Sequence, residues 1–394
     1  MIKQLIATNA QELEPELIAI RRHLHRHPEL SFQEYTTSAY IQSVLSQWGI
    51  KFSSGWVKTG IVGTIEGRNP NSRCIGLRAD IDALPIQEEN QVSYQSCNPG
   101  VMHACGHDVH TTCLLGALKL LHDTRDQWEG QIKFLFQPGE EKLPGGASLM
   151  IAEGVLKNPA PQAIIGLHVL PQMECGFFGL KSGMFMASAD EIYITVKGKG
   201  GHAALPQSLI DPILISAHLI TALQQVVSRN ASPIIPSVLS FGKIIGTGAT
   251  NVIPDEVKME GTFRTFNEDW RSQAHERIQS ICHSICESFG GSCEVNILKG
   301  YPFLVNDHSI SDQVQKCLSD LFGQDKILPL ETRMTAEDFA YYSQIVPACF
   351  FRMGTGNSAK GISSGIHTST FDVDEKCLIH GSMAMAMAAI SIKP

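Results

Sequence analysis

No apolar run in this chain approaches the roughly 20 residues that a helix needs to cross a bilayer, which argues against a membrane-spanning protein. The first residues, Met1 to Ala10, pass quickly into Gln11-Glu12-Leu13-Glu14 and lack the long apolar segment of a secretory signal, so a cytoplasmic location is expected. Positive charge is in short supply: 31 Lys and Arg face 39 Asp and Glu, for a net charge of -8. Without a basic stripe for phosphate backbones, nucleic acid is a poor candidate partner and a small molecule a better one. Internal repeats and low-complexity segments are missing too.

What is present describes a soluble globular chain, with 43% hydrophobic and 18% charged residues over 394 positions, enough for about two to three domains. Its eleven cysteines are scattered and odd in number. Cys74, Cys113, Cys282, Cys286, Cys317, Cys349 and Cys377 lie among apolar residues, where cysteine serves as a small hydrophobe. Cys282 and Cys286 stand one helical turn apart around His283, but their segment reads as an ordinary amphipathic helix without a second ligand pair.

Chemistry gathers in His103-Ala104-Cys105-Gly106-His107-Asp108. Cys105 and His107, two apart, cannot share one face of a helix but suit a tight glycine-bearing turn. A helix from Val109 to His122 is expected next, carrying Leu114, Ala117, Leu118 and Leu121 on one face, with Asp108 placed to cap its first amides. A thiol beside an imidazole fits either a metal site or a cysteine nucleophile, and the pair alone does not choose.

The surrounding pattern is informative. A helix over residues 10–27 ends at Pro28, with His23, His25 and His27 crowding its carbonyl end, where partial negative charge favours imidazole. A helix at 35–47 follows, then strands at 61–66 and 74–79. Asp80 and Asp82 stand just past the second strand, spaced to point the same way. Strand 131–136 leads into Gln137-Pro138-Gly139-Glu140-Glu141, and strand 163–167 carries His168 at its end. This alternation implies a mostly parallel sheet flanked by helices, an α/β class in which ligands collect where strands end. Asp82, Cys105, His107, Glu140, Glu141 and His168 fall at such places, which shifts the balance toward metal. One carboxylate of the Glu140–Glu141 pair can bind a metal while its neighbour takes a proton from water made acidic by that metal and later returns it to a leaving nitrogen.

Past Gly183 the order becomes strand 191–197, helix 211–229, strands 237–245 and 255–266, helix 268–289 and strand 292–298, the βαββαβ order of a ferredoxin-like α+β unit. The domains are therefore expected as 1–183, an inserted 184–297, and 298–394 completing the first. Helix 309–321, the segment 335–342, strand 348–353, a Gly-rich loop to His367 and a final helix make up that last part. Met383, Met385 and Met387 among alanines suggest that the final helix is closely packed.

Across essentially its whole length the sequence resembles the N-acyl-amino-acid amidohydrolase branch of the binuclear metallopeptidase superfamily: aminoacylases, hippurate hydrolases, indole-acetyl-amino-acid hydrolases and N-acetyl-diaminopimelate deacetylases. The motifs are His25-Arg26-His27-Pro28-Glu29-Leu30, Arg78 to Pro85, His103 to His110, Gln137 to Glu141, Gly200-Gly201-His202-Ala203-Ala204, Asn251-Val252-Ile253-Pro254, Ala336-Glu337-Asp338-Phe339 and His367. The resemblance implies a pair of divalent ions, Mn²⁺ or Zn²⁺ with Co²⁺ and Ni²⁺ as further candidates, held by Cys105, His107, Glu141, His168 and His367. Glu140 is then the general base and acid. Asp82 is implied as the carboxylate that orients a ligand histidine, while Asp80 stands where sister branches have a histidine ligand. Gly139 occupies a position where alanine is frequent in relatives. The inserted domain is implied to act as a lid and as the surface of a homodimer, with His202 polarising the scissile carbonyl in the partner subunit. Asn251 and Arg264 would hold the substrate carboxylate. The activity implied is hydrolysis of the amide bond of N-acyl amino acids (acetyl, benzoyl or aryl-acetyl) to a carboxylic acid and a free amino acid. A metallo-dipeptidase or carboxypeptidase, a cysteine amidase using Cys105 and His107, and a non-catalytic metal-binding protein are the alternatives.

Overall fold

The computed structural model describes residues 2–393. They form two compact units, one of residues 2–185, 305–332 and 338–393, the other of residues 186–304 and 333–337.

The first unit is built on an eight-stranded sheet. In chain order it begins with helices α1 (Ile2–Arg26) and α2 (Tyr35–Gln47) and strands β1 (Phe52–Trp56), β2 (Gly60–Glu66) and β3 (Cys74–Asp80). Helix α3 (His107–Asp123), strand β4 (Gln131–Gln137), helix α4 (Gly146–Ala152) and strand β5 (Ala163–Glu174) follow. The strand order is β1-β2-β4-β3-β5, then Ala348–Gly356, Phe178–Leu180 and Ile327–Pro329. From β4 through β3 and β5 to Ala348–Gly356 every pairing is parallel, while β1 and β2 run antiparallel at one edge. All seven residues of β3 are buried, as a strand covered on both faces requires.

Helix α1 begins at Ile2, eight residues before the expected start, because Ile6 and Ala10 extend the buried stripe of Leu13, Leu17, Ile20 and Leu24 through Pro15. The final helix, Cys377–Ser391, buries Ala384, Met385, Ala386, Ala388 and Ala389. Gly116 of α3 lies so close to Ser382 that a Cβ there would sit 2.1 Å from its hydroxyl, so the small residues let these two helices approach. The seven cysteines expected as filler are buried, and all eleven are free thiols.

Two local expectations are corrected. Gly106, with φ of +86°, occupies the cap position of α3 and makes no side-chain cap bond, whereas Asp108 lies inside the first turn. Its carboxylate is spent on Arg21, with Nε at 2.9 Å, and on His25, with Nδ1 at 2.7 Å. His25 is accordingly fully buried between Asp108 and Glu88, and its chief partners are these carboxylates, not the helix dipole. Burial and Arg21 press the imidazole toward neutrality, but the two carboxylates outweigh them and raise its pKa.

The second unit carries a four-stranded antiparallel sheet with the order Ser237–Ile245, Glu256–Thr265, Asp190–Lys197, Ser292–Lys299. With helices Pro212–Leu223 and Glu268–Ser288 between the strands, this is the expected βαββαβ arrangement. Ile192, Ile194 and Val196 alternate into its core beside Val257, Met259 and Phe263. The helix expected over 211–229 is N-capped by Asp211 and stops at Leu223, and a π-helical turn covers Val226–Asn230. Buried Asp190 accepts hydrogen bonds from Arg271, His275 and the Gly300 amide and joins the first strand to the second helix and the last strand. No helix among the described residues is long and apolar enough to cross a membrane.

Candidate metal centre

The site lies in the first unit, where the parallel strands deliver their carboxyl ends. In register, Asp80 at the end of β3 faces Gln137 at the end of β4, and Arg78 faces Gly166 of β5. His168 is two residues further along β5, which runs on to Glu174, so the imidazole stands within the strand and not at its end as expected. Past β3, Asp82 is buried. Past β4, the chain turns at Gly139 into Glu140 and Glu141. Cys105 and His107 come from the turn into α3, and His367 from a loop where its own φ is +61°.

Three overlapping sets of donor atoms result. Those of Cys105, His107 and His168, of Cys105, Glu141 and His367, and of His107, Glu140 and Glu141 each lie within 4.8 Å of one another. Individual separations are 3.4 Å for Cys105 Sγ to His168 Nε2, 3.4 Å for His367 Nε2 to Glu141 Oε1, and 3.8 Å for His107 Nε2 to Glu141 Oε1. The edge of a tetrahedron of nitrogen, oxygen and sulfur ligands around a zinc-sized ion is about 3.3–3.8 Å, so the donors are spaced for a shared cation.

The hydrogen bonds agree with that fit. His107 gives its Nδ1 to Asp82 Oδ1 at 3.2 Å, and its buried Nε2 has no hydrogen-bond partner among the described residues. Glu141 Oε1 is likewise buried and unpartnered. His168 donates Nδ1 to the Val169 carbonyl at 2.8 Å, which leaves the lone pair of Nε2 toward Cys105. Unpartnered buried polar atoms of this kind cost free energy unless something satisfies them. His168 is held neutral by burial and by Arg352, the form a metal ligand needs.

A fourth set, Asp80, His107 and His110, is also close enough for an ion. Two of its three members are already engaged. His110 donates Nδ1 to Asp80 Oδ1 at 2.6 Å and accepts the Val169 amide on Nε2 at 3.0 Å, while Asp80 Oδ2 takes Arg78 Nη1 at 2.7 Å. Asp80 and His110 therefore lack a free donor atom for an ion, and they tie α3, β3 and β5 together beneath the ligands. Both aspartates of the Asp80–Asp82 pair are buried and hydrogen bonded, which excludes a solvated turn there.

Sequence reading missed most of this support. Asp338 accepts hydrogen bonds from Arg78 Nη2 at 2.6 Å, from Gln137 Nε2 at 2.7 Å and from the Ala147 amide at 3.0 Å. Its own amide donates to Glu140 Oε1 at 3.3 Å. Burial lifts the Asp338 carboxyl to about 6 against the pull of Arg78. The one available signal was the Ala336-Glu337-Asp338-Phe339 motif, which gave no hint of partners on β3 and β4.

Cys105 bears on the choice left open above. Burial first, then the charges of Glu141 and Glu140, push its thiol pKa well above the ordinary cysteine value. A nucleophilic cysteine needs the opposite shift. The turn is thus poorly suited to a thiolate attack and well suited to a thiol that ionises when a cation takes it.

Residues 76–390 match peptidase family M20/M25/M40. The chain belongs to that family. It is 43% identical over 306 residues to an N-acyl-L-amino acid amidohydrolase of Geobacillus stearothermophilus, covering 78% of this chain and 82% of the relative. It is 38% identical over 388 residues to thermostable carboxypeptidase 2 of Saccharolobus solfataricus, covering 98% and 97%. Among solved structures, a dinuclear metal binding peptidase of the M20 family from Bacillus subtilis superposes with a TM-score of 0.83 at 34% identity, over 96% of this chain and 98% of that one. The M20 chain described here is accordingly a metal-dependent amidohydrolase, with a mostly parallel α/β sheet and an inserted α+β unit.

His202, Asn251 and Arg264 lie in the second unit. His202 sits on the short strand Gly201–His202, pairs with Val252, and accepts the Ala204 amide on Nδ1 at 3.1 Å. The Asn251 carbonyl accepts the Ala203 amide, so these two residues are neighbours. Arg264 is half-buried on the strand Glu256–Thr265, and its Nη1 donates to the Met334 carbonyl at 2.9 Å.

Proposed function

We propose that this M20 amidohydrolase cleaves the amide bond of N-acyl amino acids, with acetyl, benzoyl or aryl-acetyl acyl groups, releasing a carboxylic acid and a free amino acid. The observation that carries the reaction type is the convergence of His107, Glu140 and Glu141, in which Glu141 Oε1 and His107 Nε2 are unspent while Glu140 is held by the Asp338 amide. The acyl-amino-acid class rests on the Geobacillus relative named for it.

In this reading Cys105, His107, Glu141, His168 and His367 hold two divalent ions, Mn²⁺ or Zn²⁺ being favoured by the mixture of thiolate, imidazole and carboxylate. When bound, such ions act as Lewis acids that bring a water's pKa near neutrality and polarise the scissile carbonyl. Glu140 takes the proton from the attacking water and returns it to the leaving nitrogen. Asp82 fixes the tautomer of His107, so that Nε2 is presented to the ion. His202 from a partner subunit stabilises the oxyanion, and Arg264 with Asn251 grips the substrate carboxylate.

A panel of acetyl, benzoyl and indole-acetyl amino acids together with unacylated dipeptides tests the substrate class on metal-reconstituted protein. Turnover of the acylated compounds is expected to dominate. Activity confined to dipeptides would overturn the proposal in favour of the peptidase reading that the Saccharolobus relative's name suggests.

The homodimer and the trans role of His202 are tested by mixing. Glu140→Ala and His202→Ala homodimers should each be nearly inactive, and random exchange of their subunits should restore up to about a quarter of the wild-type activity, because about half of the dimers are then mixed and each mixed dimer holds one of its two sites with both residues. Absence of recovery after proven subunit exchange would eliminate the shared site.

A further inference from the structure

The segment between α1 and α2, downstream of the His25–Leu30 motif, has been given no task by the chemistry above. It packs directly behind the turn that carries the two glutamates. Leu30 bridges to Ala83, the Ala83 amide donates to the Glu29 carbonyl, and Ser31 Oγ donates to Asp82 Oδ2 at 2.6 Å. Phe32 adopts a φ of +65°, and its ring lies where a Cβ on Gly139 would come within 2.4 Å. Glu34, fully buried, gathers three neutral donors. Its Oε1 accepts the Phe32 amide at 2.8 Å and the Gly139 amide at 2.9 Å, and its Oε2 accepts Thr59 Oγ1 at 2.7 Å.

Gly139 is thereby held from both sides. Its N–H is bound by Glu34, and its carbonyl accepts the Gly146 amide at 3.0 Å. The N–H belongs to the peptide before Gly139 and the carbonyl to the peptide that joins it to Glu140, so the two bonds hold both planes flanking the Gly139 Cα and with them the direction in which the chain enters Glu140. Gly139 itself has a φ of +63°, a conformation that other residues adopt at a cost.

We infer that Glu34 is a positioning residue for Glu140: its carboxylate clamps the Gly139 amide and so sets where the proton-transferring carboxylate stands. The inference rests on the proposed role of Glu140. A misplacement of about 1 Å can lower the rate about 100-fold without touching binding, because only the geometry of the reacting atoms is lost. Burial and the nearby Asp82 lift the Glu34 carboxyl to about 7, so the protein bears a cost for keeping an acid in this place.

The test compares Glu34→Ala, Glu34→Gln and Glu34→Asp as metal-loaded protein. Glu34→Ala should lower kcat about 10- to 100-fold on the best substrate of the panel, with KM within about threefold and bound metal unchanged. Hydrogen exchange of the peptide spanning residues 137–146 should be faster. Glu34→Gln keeps an amide oxygen for both N–H groups and should recover most of kcat and the slow exchange. Glu34→Asp is too short to reach Gly139 and should behave like Glu34→Ala, which keeps the test alive if the alanine variant does not fold. Wild-type kcat and wild-type exchange in Glu34→Ala, or in Glu34→Asp in its place, would overturn the clamp, as would a glutamine variant as impaired as the alanine one. The exchange readout does not depend on catalysis, so the clamp stands or falls separately from the role of Glu140, which its own substitution tests.

Discussion

Glu140→Ala should keep its metal and lose about 100- to 10,000-fold in kcat, the range that a positioned general base contributes. Retention of metal is expected because the unspent donor atoms, His107 Nε2 and Glu141 Oε1, belong to other residues. Cys105 Sγ and His168 Nε2, 3.4 Å apart, are likewise untouched by the change. Loss of turnover is expected because three neighbouring buried aspartates are committed to other partners and cannot take its place. Asp80 is consumed by Arg78 and His110, Asp82 by His107, Ser31 and the Glu141 amide, and Asp338 by Arg78, Gln137 and Ala147. The measurement is kcat and KM with metal content determined on the same samples. Near-normal hydrolysis by a fully loaded variant would remove Glu140 from the mechanism.

Removal of metal should have an equally large effect. Exhaustive chelation is expected to abolish amide hydrolysis and addition of Mn²⁺ or Zn²⁺ to restore it, since the chain's own groups supply a base but no electrophile at the proposed ligands. The same experiment separates the metal reading from a cysteine amidase. A thiol raised by burial and by two neighbouring carboxylates is almost entirely protonated near neutral pH, so Cys105 has little nucleophilic character in the metal-free chain. Activity that survives chelation and disappears on thiol alkylation would reverse the assignment. Alkylation of the loaded enzyme decides less, because it would also destroy a ligand.

The parts of this architecture that the sequence reveals are those encoded by local pattern. The alternating Ile192, Ile194 and Val196, and the order of strands and helices around them, specify the βαββαβ unit without knowledge of any distant contact. The ends of β3 and β4 are visible for the same reason, since apolar runs stop abruptly at Asp80 and at Gln137. What the sequence hides depends on pairing across long stretches of chain. Asp108 looks like a cap because it opens a helix, yet its partners Arg21 and His25 lie more than eighty residues earlier, and a charged guanidinium outcompetes backbone amides for a buried carboxylate. Arg78 and Gln137 read as ordinary strand residues until Asp338 arrives from the far end of the chain. His168 was placed at a strand end because the apolar run falters there, whereas the strand continues through Val169 and Leu170 and into solvent. For Glu34 there was no signal: an acid four residues past a leucine, before a helix, is the most common sort of surface residue, and only the folded turn reveals that Gly139 seeks it.

One asymmetry among the five proposed ligands has a further consequence. Cys105, His107 and His168 are almost completely buried and anchored on a turn, a helix and a strand, and Glu141 is largely covered. The side chain of His367 is 51% exposed, its φ is +61°, and its amide donates to the Ala104 carbonyl at 2.7 Å. Of the five proposed ligands, four are covered and one faces solvent. If the proposed set holds an ion, its one solvent-facing member would be the imidazole on the loop that carries His367, so exchange with solution would begin there.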